Sequence, residues 1–167
     1  MADRAQKILG PALKARQFAP AYYFHGDDDF RKELALKHLL DAAVDPATRD
    51  FNCDVRRGAE LDAEALGSLL GTPPMMADRR AVVVRDVPAL RKDARAALER
   101  ALRHPAPDVL LVLLAPAGAK PEKALCDGAV EVPFEPLREA ELPDWITRWA
   151  RRELGATVTE PAAALLA

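Results

Sequence analysis

The densest group of side chains able to do chemistry is His25-Gly26-Asp27-Asp28-Asp29-Phe30, and a further carboxylate stands in Arg85-Asp86-Val87. Asp27, Asp28 and Asp86 could together bind magnesium and accept a phosphoryl group, as in a phospho-receiver signalling domain. That chemistry also needs a hydroxyl and a lysine on the phosphoryl oxygens, and Ala115-Pro116 and Glu135-Pro136 stand in their places. A triphosphate-binding loop needs GxxxxGK[ST], whose glycines free backbone N–H groups, whose lysine meets the phosphates and whose hydroxyl holds magnesium. Gly26 to Phe30 offers neither lysine nor hydroxyl, and its carboxylates repel a triphosphate. No ATPase is expected, which leaves a degenerate nucleotide-binding enzyme and the receiver as alternatives. The plain reading of these carboxylates is that they cap helix N-termini.

His25, His38 and His104 have no ligand spacing and are read as structural or surface residues. Cys53 and Cys126 lie far apart, outside any CxxC or Cys/His cluster, so neither a zinc site nor a disulfide scaffold is expected. Cys53 reads as a small core residue and Trp145 with Trp149 as packing anchors of one helix. No metal or cofactor is implied. The basic set Arg79, Arg80, Arg85, Arg91, Lys92 and Arg95 is broken by Asp78, Asp86 and Asp93, which favours a solvated surface over a nucleic-acid patch.

The segment Gly71-Thr-Pro-Pro-Met-Met-Ala-Asp-Arg-Arg80 is of another kind. Gly71, Pro73 and Pro74 stop a helix and stiffen the connection that follows. Two adjacent methionines cannot both enter one core from a short turn, so at least one of Met75 and Met76 is expected in solvent. Methionine adapts to irregular apolar pockets, which suits an interface. By residue chemistry alone, local core packing is still the first reading.

Apolar runs of strand length occur at Ala21–His25, Phe51–Val55, Ala81–Arg85, Val109–Leu114 and Ala129–Phe134. Helical faces lie between them: Leu36, Leu39, Leu40 and Ala43; Leu66, Leu69 and Leu70; and Leu90, Ala94, Ala97, Leu98, Ala101 and Leu102. Alternating strands and helices predict an α/β fold, a parallel sheet of about five strands with helices on both faces. Continuous apolarity marks Val82–Val84 and Val109–Leu114 as central strands, and alternation marks 51–55 as an edge. After Phe134 the pattern turns helical: Leu142, Trp145, Ile146 and Trp149 share a face, Gly155 ends that helix and Thr159 can start another.

The 167 residues are 50% hydrophobic and 30% charged, enough for one real core without disulfides or metals. The 24 basic and 26 acidic residues leave −2, so an unaided electrostatic grip on DNA or an anionic membrane is not expected. The N-terminus lacks an apolar signal region, and Val109–Ala115 is far too short to cross a bilayer. A cytoplasmic protein with no membrane contact is expected.

The succession YYFHGDDDFRKELALKHLL, DPATRDFN, LLGTPPMMADRRAVVVRD, PDVLLVLLAP and EVPFEPLREAELPDWITRWARRELGATVTEPAAALLA strongly resembles the delta subunit of the bacterial DNA polymerase III clamp loader. The resemblance runs nearly end to end and covers about the first half of a typical delta subunit. It implies an AAA+-like α/β domain over 1–137 without nucleotide-binding motifs, and the beginning of a helical lid domain over 138–167. The C-terminal collar, which would join the other loader subunits (delta prime and gamma/tau), is absent from the chain, as in a fragment or a truncated sequence. The delta subunit seizes the ring-shaped beta sliding clamp and lets one interface open, with an apolar pair just before the third strand. By resemblance that pair is Met75 and Met76, followed by Ala77, Asp78 and the basic Arg79, where many delta subunits carry Leu or Phe. The resemblance therefore turns the methionines from core residues into exposed, clamp-binding ones. It implies DNA contact only within the complex, and membership of a nucleotidyltransferase complex without intrinsic activity.

Overall fold

The structure, a computed structural model, describes residues 4–166. Helix α1 (Arg4–Ala15) leads into strand β1 (Ala21–His25), and α2 (Asp29–Ala43) follows. A short turn and helix α3 (Arg49–Asn52) precede β2 (Cys53–Arg57), which is followed by α4 (Ala63–Gly71) and β3 (Arg80–Arg85). Helix α5 (Lys92–Arg103), β4 (Val109–Leu114), α6 (Lys123–Gly128) and β5 (Val130–Pro133) complete the alternation. All four strand pairings are parallel and the order is β2-β3-β4-β1-β5.

Side-chain alternation along the inner strands explains why both faces are covered. Tyr22, Phe24, Ala81, Val83, Leu110 and Val112 point to the face packed by Leu36, Leu39 and Leu40 of α2 and Leu9 of α1. Tyr23, Val82, Val84, Leu111 and Leu113 point to the other, against Leu66 of α4, Leu98 of α5 and Leu125 of α6. The inner strand β4 can therefore be apolar throughout, as can the stretches Ala81–Val84 of β3 and Ala21–Phe24 of β1.

β2 is an edge strand, as expected, but it runs two residues later than Phe51–Val55. Phe51 and Asn52 close a helical turn instead, and the charged Arg56 and Arg57 are tolerated on the strand because they stand in solvent. Helix α1 was not expected from the sequence: Pro11 lies inside it, while Ala5 and Leu9 are buried.

Contacts divide the chain into two units, one running to Phe134 and the other starting at Glu135. In the second, helix α7 (Leu142–Trp149) passes into a π-helical turn over Ala150–Leu154 that Gly155 ends at φ 63°. Helix α8 (Glu160–Leu166) follows, and the Trp145 and Trp149 rings stack at 5.9 Å. Among the described residues no helix is long and apolar enough to cross a membrane.

Candidate functional site

Ligands of parallel α/β sheets usually bind beyond the carboxyl ends of the strands. There the chain leaves β1 through Gly26 at φ 107°, where an added Cβ would lie 2.4 Å from the Phe134 carbonyl oxygen, so only glycine fits. Asp28 caps α2, its carboxylate accepting the Arg31 backbone N–H at 3.0 Å and the Arg31 guanidinium at 3.1 Å. Asp27 accepts the Gly118 N–H at 2.8 Å. The helix N-terminus that would attract a phosphate already holds the chain's own carboxylates.

Lys32, beyond the loop and passed over in the sequence reading, is 2% exposed. Its ammonium donates to the Ala115 carbonyl at 2.9 Å and pairs with Asp29 at 2.6 Å, turned inward. His25 is buried as well, with Nε2 2.8 Å from Glu131. The strand order removes the geometric basis of the receiver reading, because β4 lies between β1 and β3. Asp27 and Asp28 thus leave the sheet about 10 Å from Asp86, two strand spacings away, whereas a receiver sheet has these strands as neighbours. Among the described residues no three His, Cys, Asp or Glu side chains form a possible metal site. Burial pushes the Cys53 and Cys126 thiols above their ordinary pKa, which suits packing rather than nucleophilic chemistry.

The segment between α4 and β3 lies at the opposite edge of the sheet, where the amino ends of the strands gather. Met75 is 52% exposed and Met76 80%, so the core-packing reading fails for both. The main chain is nevertheless tied down at Thr72 and Met75. The Thr72 hydroxyl donates to the Ser68 carbonyl at 2.7 Å, and the Arg80 guanidinium donates to the Thr72 carbonyl at 3.4 Å. The Asn52 carboxamide accepts the Met75 N–H at 2.7 Å and donates to the Met75 carbonyl at 2.8 Å. Met76 then takes φ 52°, the left-handed region that a bulky side chain rarely adopts.

Ala77 is half-buried, and the Arg79 guanidinium lies 5.4 Å from the Phe18 ring centre, over its face. Arg80 does not belong to a solvated surface as expected: it is 4% exposed and ion-paired with Asp54 on the neighbouring strand. At the same edge an apolar hollow of about 210 Å³ opens between Pro20, Leu70, Leu102, Pro105 and Val109. Asn52 is the residue that sequence reasoning missed, since its partner lies 23 residues away. Its only trace in the sequence is a polar residue inside an otherwise strand-like run.

A family model for the DNA polymerase III delta subunit matches residues 22–126. DNA polymerase III subunit delta of Bacillus subtilis is 28% identical in an alignment covering 90% of this chain and 47% of that protein. The solved Bacillus subtilis DNA clamp loader delta protein is similar with a TM-score of 0.76 at 27% identity, over 95% of this chain and 50% of that one. The Thermotoga maritima RuvB Holliday junction branch migration motor has a TM-score of 0.59 at 15% identity, over 97% of this chain and 53% of that one. That last likeness concerns the fold alone, and the sheet with its helices is AAA+-like. The chain spans about half the length of the relatives it matches.

Proposed function

This chain belongs to the DNA polymerase III delta-subunit family, and on that premise we propose that it binds the beta sliding clamp through Met75 and Met76 and helps to open it for loading onto primed DNA. The observation that carries the reading is two adjacent methionines in solvent, 52% and 80% exposed, on a loop whose main chain Asn52 holds at Met75. Surface apolar groups pinned in this way suit an apolar pocket on a partner. Ala77 and Arg79 border the contact.

Opening a closed ring needs differential affinity: the loop must bind the clamp with its interface sprung more tightly than the clamp with its interface shut. Methionine side chains that enter a pocket formed fully only in the sprung state supply that difference. Residues 1–137 then serve as the AAA+-like domain and 138–167 as the start of the helical lid. Contacts with delta prime and gamma/tau would run mainly through a collar, and DNA would be met only within the cytoplasmic complex.

No nucleotide chemistry belongs to this chain in the proposed reading. The Asp28 cap, the Asp27 bond to Gly118 and the inward Lys32 support it, because they fill the place of a phosphate with internal partners. Polymerase and ATPase activity would reside in other subunits of the assembly.

The test is a titration of the purified sliding clamp into the chain, with a fluorescent ATP analogue titrated in parallel. Saturable clamp binding that the double variant Met75→Ser, Met76→Ser loses is expected, with no saturable nucleotide binding in the micromolar range. Absence of clamp binding sinks the clamp assignment, and micromolar nucleotide binding sinks the reading of the carboxyl edge.

A further inference from the structure

We infer that Asn52 is a positioning residue for this interface, holding Met75 and Met76 in their binding conformation without touching the clamp. The inference rests on the clamp reading above and concerns how that contact is prepared.

Asn52 is completely buried, at 0% exposure, although it ends the four-residue helix α3 and follows Phe51, which is 58% exposed. A buried carboxamide needs partners for both its oxygen and its amide group. It finds them on the main chain: the Met75 N–H at 2.7 Å, the Met75 carbonyl at 2.8 Å and the Thr48 carbonyl at 3.2 Å. Two bonds to the N–H and C=O of one residue fix the peptide planes on both sides of its Cα. Met75 is thereby clasped by its backbone, and its side chain is left free.

The clasp matters because little else orders this stretch. Among the described residues, no main-chain hydrogen bond joins 73–79 to another backbone group. Met76, the next residue, sits at φ 52°, a conformation that persists only where its surroundings over-determine it. The platform is itself anchored, since Arg49 of α3 pairs with Asp41 of α2, which also holds Lys37 at 2.6 Å. The path runs from α2 through α3 and Asn52 to the exposed methionines.

A loop already ordered in the free protein loses less conformational freedom when it binds. Removing two neutral hydrogen bonds from such a loop should weaken clamp binding roughly ten- to thirtyfold, with no contact to the clamp deleted.

The experiment compares the intact chain with Asn52→Ala, Asn52→Asp and the double variant Met75→Ser, Met76→Ser. Amide hydrogen exchange is followed across 72–79 in the free protein, and the dissociation constant is measured against the purified sliding clamp. In the unmodified chain the Met75 amide should exchange at least roughly tenfold more slowly than those of Met76 and Ala77. In Asn52→Ala it should exchange at its neighbours' rate and binding should weaken by the stated factor. Asn52→Asp keeps an acceptor for the Met75 N–H but sets a carboxylate against the Met75 and Thr48 carbonyls, so it should weaken binding while leaving this amide partly protected. In both variants β3 and β4 should stay protected. A purely structural role would instead lower protection throughout the sheet.

A Met75 amide that exchanges as fast as its neighbours in the unmodified chain overturns the inference, and this arm needs no variant to fold. A folded Asn52 variant with unchanged clamp affinity overturns it too. If the methionine double variant loses binding while the Asn52 variants keep it, only the positioning role falls. If the methionine double variant keeps full affinity, the clamp reading falls and this role falls with it.

Discussion

Replacing both Met75 and Met76 by serine should separate binding from stability, and the size of each effect follows from exposure. The side chains leave about one and a third methionines' worth of surface in solvent and about two thirds of one covered by the chain itself. Complete burial of a methionine is worth about 2 kcal/mol. The free protein should therefore lose about 1.4 kcal/mol, which for a chain of this size lowers Tm by roughly 3–5 °C. Covering the exposed remainder in a clamp pocket should contribute about 2.6 kcal/mol, so the double variant should bind roughly eightyfold more weakly. Calorimetric titration against the purified clamp reads the second effect and a thermal melt reads the first. Unchanged affinity in the folded variant refutes the assignment. A fall in Tm well beyond 10 °C would mean that the methionines are core residues and that the exposure reasoning is wrong.

Gly26→Ala should cost about 2–4 kcal/mol, since a Cβ at φ 107° strikes the Phe134 carbonyl oxygen and loosens the bonds from Phe134 to His25 and from Asp28 to Phe134; a melt checks this. Clamp affinity of the folded fraction should not change, because Gly26 and the methionine loop lie at opposite edges of the sheet. Asp54→Asn leaves the buried Arg80 guanidinium without its carboxylate and should destabilise by about 1–3 kcal/mol in urea unfolding, whereas Asp50→Asn, on an exposed side chain, should fall within about 0.5 kcal/mol of wild type. Hydrogen bonds from Lys37 and Arg49 hold the Asp41 pKa below its ordinary 3.8, so its stabilising effect is present above that value and fades as pH falls through the lowered one. Asp41→Asn should therefore be less stable than wild type at pH 6, with the difference shrinking in acid melts below pH 4.

What could be read from the sequence was whatever repeats locally. Val82–Val84 and Val109–Leu114 announce central strands because burial on both faces removes alternation, and they occupy the middle of the sheet. The methionine pair was legible only in part: Pro73 and Pro74 place it on a stiffened connection with at least one side chain expected in solvent, but residue chemistry alone favoured core packing, and it was the family resemblance that pointed to exposure of both. Asn52 and Arg80 were not, since each owes its place to a partner more than 20 residues away, Met75 in one case and Asp54 in the other. Alternation assigned Asn52 to a strand and the interrupted run of charges assigned Arg80 to the solvent, and long-range hydrogen bonding overrode both. Helix α1 escaped because Pro11 is a strong local signal against a helix, one that burial of Ala5 and Leu9 outweighs.

The two edges of the sheet differ in what they offer a partner, and that difference supports the proposed reading. At the carboxyl edge, buried or capping side chains satisfy one another: Asp28 closes the N-terminus of α2, Lys32 reaches Ala115, and His25 meets Glu131. An incoming phosphate would have to displace these bonds and approach the carboxylates of Asp27 and Asp29, which repel it. At the amino edge the arrangement is reversed. Asn52, Arg80 and Thr72 are consumed in holding main chain, and the apolar groups the loop leaves for a partner are the ends of Met75 and Met76, beside Ala77 and Arg79. Polar side chains spent on internal order leave a surface whose remaining free energy gain lies in burying apolar area, which is the property a clamp-binding loop requires.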